Sequence, residues 1–347
     1  MDQTSADPYE IVRRAGAAPL WQYYGSLFAA QPSSRAVPFI WRYAELRPSM
    51  LHFVDALSLE EAERRVLMLV NPELREPPAT LSTLYAGLQI IVPGETAQAH
   101  RHTSGAFRLI IEGEGACTTV DGERVHMRPG DLLLTPSWHW HDHEDVGTGP
   151  MIWLDGLDYP LVNLLEAGFF EVFAERMQPR TMPDDISTRQ YIHGQLRPTW
   201  ETPRGLSSPI GNYPWSETEA AFADIGDDAD GSAVDGVMLE YTNPWTGGPV
   251  MPTIGCRMQR LPPGFAGVAH RHTSNTIYHV VRGEGRSVVD DVVLEWNEHD
   301  VFAVPSWTVH EHHNGSGSED AIVFSYTDEP VMRSLGLYRE QSAAAGR

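Results

Sequence analysis

The chain has little cysteine, few basic residues and no long apolar run. Its 347 residues include only two cysteines, Cys117 and Cys256, which are too few for a disulfide framework. With 25 basic and 47 acidic residues the formal net charge is −22, which argues against nucleic acid or an anionic membrane as a partner. No segment approaches the roughly 18 apolar residues of a membrane span, and the acidic start MDQTSADPYE lacks a signal-peptide pattern. We therefore expect a cytoplasmic protein.

Histidine, by contrast, is concentrated in two parts of the sequence. Of 15 histidines, 13 lie in residues 100–143 or 270–313. These windows resemble each other, since PGETAQAHRHTSGAFRLIIEGEG begins at Pro93 and PGFAGVAHRHTSNTIYHVVRGEG begins at Pro263. Further on, GDLLLTPSWHWHDH is matched by HDVFAVPSWTVHEH. Two copies of a unit this long indicate a duplicated domain and not a solenoid.

Each copy is predicted to be a β-barrel of the jelly-roll type. Short branched and apolar runs, such as LIIEG, DLLLTP and VFAVP, are separated by turn signals such as Asp121-Gly122. Before the first copy, Ser58 followed by Glu61 has the capping-box pattern of a helix start. The expected organisation is an N-terminal, mainly helical segment (1–75), barrel 1 (76–165), a helical or loop connection (166–235), barrel 2 (236–330) and a C-terminal tail (331–347).

Three histidines of the first copy have the spacing of a metal site. His100 and His102 are two residues apart, so on a strand both imidazoles point to the same face. His141 follows two turn signals later and can return to that face. Neutral imidazoles in such a group bind borderline divalent metals. His270, His272 and His310 have the equivalent spacing in the second copy and form a possible second site.

These motifs resemble the two cupin motifs, and the resemblance implies a bicupin fold. The longer strings TLYAGLQ, HRHTSGAFR, VDGE and WLDGLD are similar to those of the gentisate and salicylate 1,2-dioxygenase family, from about Trp41 to about Pro330. Many cupins carry a glutamate ligand where this chain has Ala106 and Thr276. Three histidines without that carboxylate leave coordination positions for a chelating substrate and dioxygen, which suits Fe(II) and fits poorly with oxalate-type manganese cupins.

The predicted substrate contacts surround the first triad. By alternation along its strand, Arg108 faces inward with Ala106 and can clamp a carboxylate. His139 and His143 alternate with His141, so both are expected to face the cavity. By resemblance, the family's substrate-contacting positions are Tyr85, Gly87, Gln89, Arg108, His143 and Asp155. Four of these form the expected catalytic set: Gln89, Arg108, His143 and Asp155. Arg64 or Arg65, expected on the N-terminal helix, can also reach inward.

The resemblance implies a homotetramer that uses O2 to cleave the C1–C2 bond of a 2-hydroxybenzoate, with both oxygen atoms entering the product. Gentisate, salicylate and 5-substituted salicylates remain open as substrates. Glycine at position 87 predicts activity on salicylates without a 5-hydroxyl. Catalysis is expected in the first copy, because Tyr278 replaces Arg108 in the second. The alternatives are a metal cupin that performs isomerisation and a two-cupin binding or storage protein.

Overall fold

The computed structural model describes residues 7–62, 64–194, 196, 198–202, 205–226 and 231–342. The chain divides into two compact units, one ending at Ser33 and one beginning at Ser34. The first unit contains α1 (Pro8–Arg14), a 3-10 turn (Leu20–Gln22) and α2 (Tyr24–Leu27). The carboxylate of Asp7 caps α1 by accepting a hydrogen bond from the backbone N–H of Tyr9 at 3.0 Å.

The second unit begins with a segment that contains both helix and strand. Its elements are β1 (Phe39–Trp41), α3 (Tyr43–Ala56), α4 (Leu59–Ala62) and β2 (Arg65–Met68). The predicted capping box is present, since the Ser58 N–H donates to Glu61 Oε2 at 3.0 Å and the Glu61 N–H donates to Ser58 Oγ at 3.2 Å. The helix nevertheless ends at Ala62, and the expected helical position of Arg65 is wrong. Arg65 starts β2, which pairs with the first long strand of the repeat.

Each repeat forms two facing antiparallel sheets. The first contributes β3 (Tyr85–Ile91), β4 (Thr96–His102), β5 (Ala106–Glu112), β6 (Ala116–Val120), β7 (Glu123–His126), β8 (Leu132–Thr135), β9 (His141–Asp145) and β10 (Met151–Leu157). After it come α5 (Tyr159–Leu164), β11 (Phe170–Val172), α6 (Ile186–Tyr191), β12 (Asn212–Tyr213) and α7 (Trp215–Ile225). Barrel 1 thus has one sheet in the order β12-β8-β5-β10-β3-β2 and another in the order β11-β4-β9-β6-β7.

The second repeat is built in the same order. Its strands are β13 (Val237–Glu240), β14 (Gly255–Leu261), β15 (His270–His272), β16 (Thr276–Arg282), β17 (Gly285–Val289), β18 (Val292–Trp296), β19 (Val301–Val304), β20 (His310–Asn314) and β21 (Ala321–Thr327), followed by α8 (Glu329–Ser334) and β22 (Glu340–Ser342). Barrel 2 has the sheets β1-β19-β16-β21-β14-β13 and β18-β17-β20-β15-β22. The predicted duplication into two jelly-roll barrels is therefore confirmed.

The two barrels pack through the outer faces of their larger sheets. Phe107 on β5 lies edge-on to two rings of β21, with centroid distances of 4.7 Å to Tyr326 and 5.4 Å to Phe324. All seven positions of β3 are buried, because one face contacts this shared core and the other lines barrel 1. Burial on both faces fixes the register of the strands that carry the candidate site.

Among the described residues, no helix is both long enough and apolar enough to cross a membrane.

Candidate active site

The three predicted ligand histidines of barrel 1 lie together on its smaller sheet. His100 pairs directly with His141 across β4 and β9, and His102 is two residues further along β4. The ring centroids are 4.1 Å apart for His100–His141, 4.9 Å for His102–His141 and 5.4 Å for His100–His102. One ligand atom from each ring lies within 4.8 Å of the other two.

Backbone carbonyls orient these imidazoles. The Nδ1 atoms of His100, His102 and His141 lie 3.1, 2.8 and 3.0 Å from the carbonyl oxygens of Gln98, Ser104 and His139. A carbonyl can only accept, so Nδ1 of His102 and of His141 carries the hydrogen and their Nε2 atoms keep the lone pair. His100 Nδ1 lies between the Gln98 carbonyl and Arg64 Nη2, which is 2.5 Å away and can only donate. In the described part of the chain, the buried Nε2 of His141 has no hydrogen-bond partner. This donor set fits a divalent metal.

The protonation state of the triad also suits a metal. Burial and the nearby Arg64 lower the pKa of His100 to about 2, and burial lowers the pKa of His102 to about 4. Burial and His100 lower the pKa of His141 well below its usual range. All three rings are therefore neutral at pH 7, which is the form that ligates metals.

Arg64, but not Arg65, reaches the triad. Its guanidinium lies 2.8 Å from His100 Nε2 and donates to the Gln98 carbonyl at 3.1 Å. Arg64 lies just before β2 and not on a helix, so this part of the prediction is corrected. Arg65 instead pairs with Glu95 at 2.7 Å. A metal on His100 would use the lone pair that Arg64 now contacts, and would replace that contact.

A row of three residues crosses the larger sheet opposite the triad. In β10, Asp155 is aligned with Arg108 on one side and with Gly87 on the other. Arg108 Nε lies 3.4 Å from Asp155 Oδ1, and both side chains are almost fully buried. Asp155 also accepts a hydrogen bond from Trp153 Nε1 at 3.1 Å. Burial raises the pKa of Asp155, while Arg108 opposes that shift. The ion pair holds the guanidinium inside the barrel.

His143 faces the same cavity. Its Nδ1 lies 2.9 Å from Thr118 Oγ1, and its ring lies 5.5 Å from Trp153. Burial and Arg108 lower the pKa of His143 well below its usual range, so the ring is neutral. Gln89 is buried on β3, where it pairs with Trp153.

His139 lies elsewhere, and the suggestion that it faces the cavity is wrong. Its Nδ1 lies 2.6 Å from Asp121 Oδ2 in a partly exposed pair. Alternation fails here because Trp138 has a left-handed φ of 65° and β9 begins only at His141.

Gly87 lies beneath the Tyr85 side chain. A Cβ on Gly87 would be 2.3 Å from Tyr85 Oη and 2.8 Å from Val66 Cγ1. Glycine is therefore required for this arrangement of the tyrosine. The sequence reasoning did not single out Val66, Thr118 or Trp153; all three are strand neighbours of predicted residues, which is the only signal that could have identified them.

Barrel 2 brings its own three histidines together in nearly the same way. The centroid distances are 4.2 Å for His270–His310, 4.9 Å for His272–His310 and 5.6 Å for His270–His272. One ligand atom from each ring again lies within 4.8 Å of the others.

Comparison with known proteins agrees with this architecture. The family model described as the cupin domain matches residues 87–156 and 257–326. A 5-aminosalicylate 1,2-dioxygenase from Comamonas sp. is 42% identical over 99% of this chain and 92% of its own length. Gentisate 1,2 dioxygenase 1 from Aquipseudomonas alcaligenes is 39% identical over 96% of this chain and 94% of its own length.

A solved structure is similar over the whole fold. Salicylate 1,2-dioxygenase from Pseudoaminobacter salicylatoxidans, determined as an adduct with gentisate, has a TM-score of 0.90 and 33% identity. The match covers 99% of this chain and 96% of that chain. The chain therefore belongs to the gentisate and salicylate 1,2-dioxygenase family of two-cupin enzymes.

Proposed function

We propose that barrel 1 holds Fe(II) through His100, His102 and His141 and cleaves the C1–C2 bond of a 2-hydroxybenzoate with O2. The observation that carries the proposal is the buried Arg108, which faces a group of three neutral imidazoles. Arg108 acts electrostatically on each of these rings. A metal ligand set and a carboxylate clamp therefore share one cavity.

The donor set supports iron(II). Ala106 occupies the position where many cupins have a glutamate, and among the described residues the ligand group consists of imidazoles alone. When bound, the metal supplies coordination positions for a chelating substrate and for dioxygen.

The protein's own residues bind and orient the acid. The Arg108 guanidinium neutralises the substrate carboxylate, and Asp155 holds that guanidinium in place. Arg64, released from His100, adds a second positive charge beside the ligand group. His143, with Nδ1 directed to Thr118, presents its other ring nitrogen for a hydrogen bond to substrate oxygen. Gln89 and Tyr85 complete the proposed set of substrate contacts on β3.

The proposed substrates include salicylates without a 5-hydroxyl. Because Gly87 has no side chain, the Tyr85 phenol lies over the backbone where a Cβ would otherwise stand. We infer that the position of that phenol determines which ring substituents fit beside β3. The 42% identical relative is named for 5-aminosalicylate, which has an amino group at ring position 5 where gentisate has a hydroxyl.

Oxygen uptake by the ferrous enzyme tests this function. The substrates are gentisate, salicylate, 5-aminosalicylate, 5-nitrosalicylate and 5-chlorosalicylate, and the readouts are oxygen and substrate consumed. We expect equal molar consumption with at least one substrate that lacks the 5-hydroxyl. If only gentisate reacts, the proposed substrate range is wrong. If no substrate consumes oxygen, an isomerase or a binding protein replaces the dioxygenase.

We also propose a cytoplasmic homotetramer. The single chain exposes a group of large apolar side chains near β11, as expected for an interface: Leu164, Leu165, Phe169 and Phe170. Both cysteines are buried free thiols, which suits a reducing compartment. Sedimentation equilibrium should give four times the chain mass of 38.7 kDa, and a monomer would exclude the assembly.

A further inference from the structure

The triad of barrel 2 has the features of a metal site. His272 Nδ1 lies 3.0 Å from the Ser274 carbonyl and His310 Nδ1 lies 3.0 Å from the Thr308 carbonyl, so both rings direct Nε2 toward the centre of the triad. In the described part of the chain, His310 Nε2 and His270 Nδ1 are buried without a hydrogen-bond partner. Unpaired buried polar atoms are costly, and a metal would use the lone pair of His310.

The charge around this triad is opposite to that in barrel 1. Where Phe170 pairs with His102 in barrel 1, Glu340 pairs with His272 in barrel 2. Glu329 begins α8 where Tyr159 begins α5. Asp235 lies just before β13, whereas Arg64 lies just before β2.

These carboxylates act on the triad. The negative charges of Glu329 and Glu340 interact electrostatically with the His272 ring, and the charge of Asp235 interacts with the His270 ring. Glu329 also pairs with Arg257 at 2.6 Å and with Arg333 at 2.5 Å, so it offsets part of the positive charge of these two arginines. Glu340 is exposed and therefore more strongly screened than Glu329, which is buried.

Barrel 2 has packed aromatic rings at the position of the barrel 1 clamp. Tyr278 stands in the place of Arg108, and its ring stacks on Phe302 with centroids 4.8 Å apart and planes inclined by 7°. The same ring lies 4.7 Å from His312, the counterpart of His143. The positions that hold substrate in the proposed function of barrel 1 are filled here by packed aromatic side chains.

We propose that His270, His272 and His310 form a second site for a divalent transition metal, one that is non-catalytic. Three imidazoles bind the ion, and neighbouring carboxylates offset its positive charge in place of an anionic substrate. In barrel 1 the arginines instead repel the ion and attract the acid. The metal of barrel 2 is thus retained more tightly, and the barrel does not bind the aromatic acid. The non-catalytic assignment rests on the proposed function of barrel 1.

Metal content tests the site without reference to activity. Elemental analysis of the purified wild-type holoenzyme should give about two metal ions per chain, and His272→Ala about one. His102→Ala should also give about one, by loss of the other ion. The matched control is His313→Ala, which removes a histidine of β20, the strand that carries His310; His313 pairs with Glu311 at 2.8 Å and is outside the ligand group. It should keep the wild-type content.

One ion per wild-type chain, unchanged in His272→Ala, would overturn the proposal and leave the function of barrel 1 intact. A second measurement depends neither on metal retained through purification nor on a folded variant. The metal-free wild-type enzyme is titrated with Co(II), and binding is followed by absorption. Two binding steps are expected, and a single step would contradict the site. Glu329→Gln should weaken the tighter step about tenfold, since it removes a buried charge near His272. An unchanged tighter step would show that the carboxylates do not set affinity.

Discussion

Barrels 1 and 2 have the same strand order and almost the same histidine triad, yet different side chains surround the triads. The triads agree because HRHTS and the later histidine are repeated and the strand register is fixed by burial. The surroundings differ along one row of the larger sheet: Arg108, Asp155 and Gly87 in barrel 1 correspond to Tyr278, Ser325 and Arg257 in barrel 2. The proposed metal ligand set is therefore repeated in barrel 2, whereas the row that contains the proposed carboxylate clamp is not.

The largest expected effect is loss of a ligand in barrel 1. His102→Ala should reduce ring cleavage to below about 1% of the wild-type rate. Substitution of even the residues that hydrogen-bond to metal ligands lowers metal affinity or activity about 10- to 100-fold. The protein should stay folded, since His102 is only partly buried and lies outside the apolar clusters. His139→Ala is the control, because its ring pairs with Asp121 outside the cavity. Full oxygen uptake by iron-loaded His102→Ala would rule out the assignment.

The next effect concerns the clamp. Arg108→Lys keeps the charge but loses the planar fork that binds a carboxylate through two hydrogen bonds. We expect kcat/KM for salicylates to fall about 100-fold, which is about 2.7 kcal/mol. Tyr278→Phe at the matching position of barrel 2 should leave kcat/KM unchanged. Equal losses in the two variants would mean that both barrels bind substrate.

A smaller effect is expected at Gly87. A methyl group there would lie 2.3 Å from Tyr85 Oη, so Gly87→Ala must shift the Tyr85 side chain, which is a proposed substrate contact. We expect kcat/KM for substrates without a 5-hydroxyl to fall about tenfold relative to gentisate. Gly255→Ala is the matched control in barrel 2, where the nearest atom to the added Cβ is at 3.5 Å. Unchanged substrate ratios in Gly87→Ala would remove this residue from specificity.

The last effect is on stability and not on turnover, at a position where barrel 2 has a buried histidine and barrel 1 has a leucine. His279 takes the place of Leu109, and burial lowers its pKa to about 3. Because the folded pKa lies below the ordinary 6.5, the unfolded chain binds this proton first and stability falls as pH drops below about 6.5. When the pH falls from 7 to 5, the free energy of unfolding should decrease by about 2 kcal/mol less in His279→Leu than in the wild type.

Urea unfolding at the two pH values measures this difference. His52→Gln is the control, because His52 is exposed. An identical loss in wild type and His279→Leu would show that His279 is protonated as readily in the folded chain as in the unfolded one.

Local sequence patterns predicted the two barrels and most of the residues that lie around the histidine triad of barrel 1. The repeat, the turn at Asp121-Gly122 and alternation along β5 were sufficient for the jelly rolls, the triads and Arg108. In the hairpin turn, for example, Asp121 and Gly122 both have positive φ, at 46° and 87°, which is the conformation that this type of two-residue turn requires. Each of these features depends on residues close together in sequence.

Pairings between distant segments were not predictable in this way. Strands β1, β2, β11 and β22 complete sheets of the two barrels from outside the repeats, and nothing in their short sequences specifies a partner. Arg64 reaches His100 because β2 pairs with β3, which the capping box at Ser58 could not indicate. Asp235, Glu329 and Glu340 are likewise brought together only by the fold. The division of the chain at residues 75, 165, 235 and 330 stays a proposal.

The central claim is that barrel 1 alone carries out ring cleavage. The most direct test is His272→Ala, loaded with iron and assayed for salicylate-dependent oxygen uptake beside wild type, with thermal unfolding measured on the same samples. We predict wild-type kcat/KM per folded chain, whatever happens to the metal of barrel 2. Loss of turnover without a loss of stability or assembly would contradict it and place part of the catalytic machinery in the second barrel.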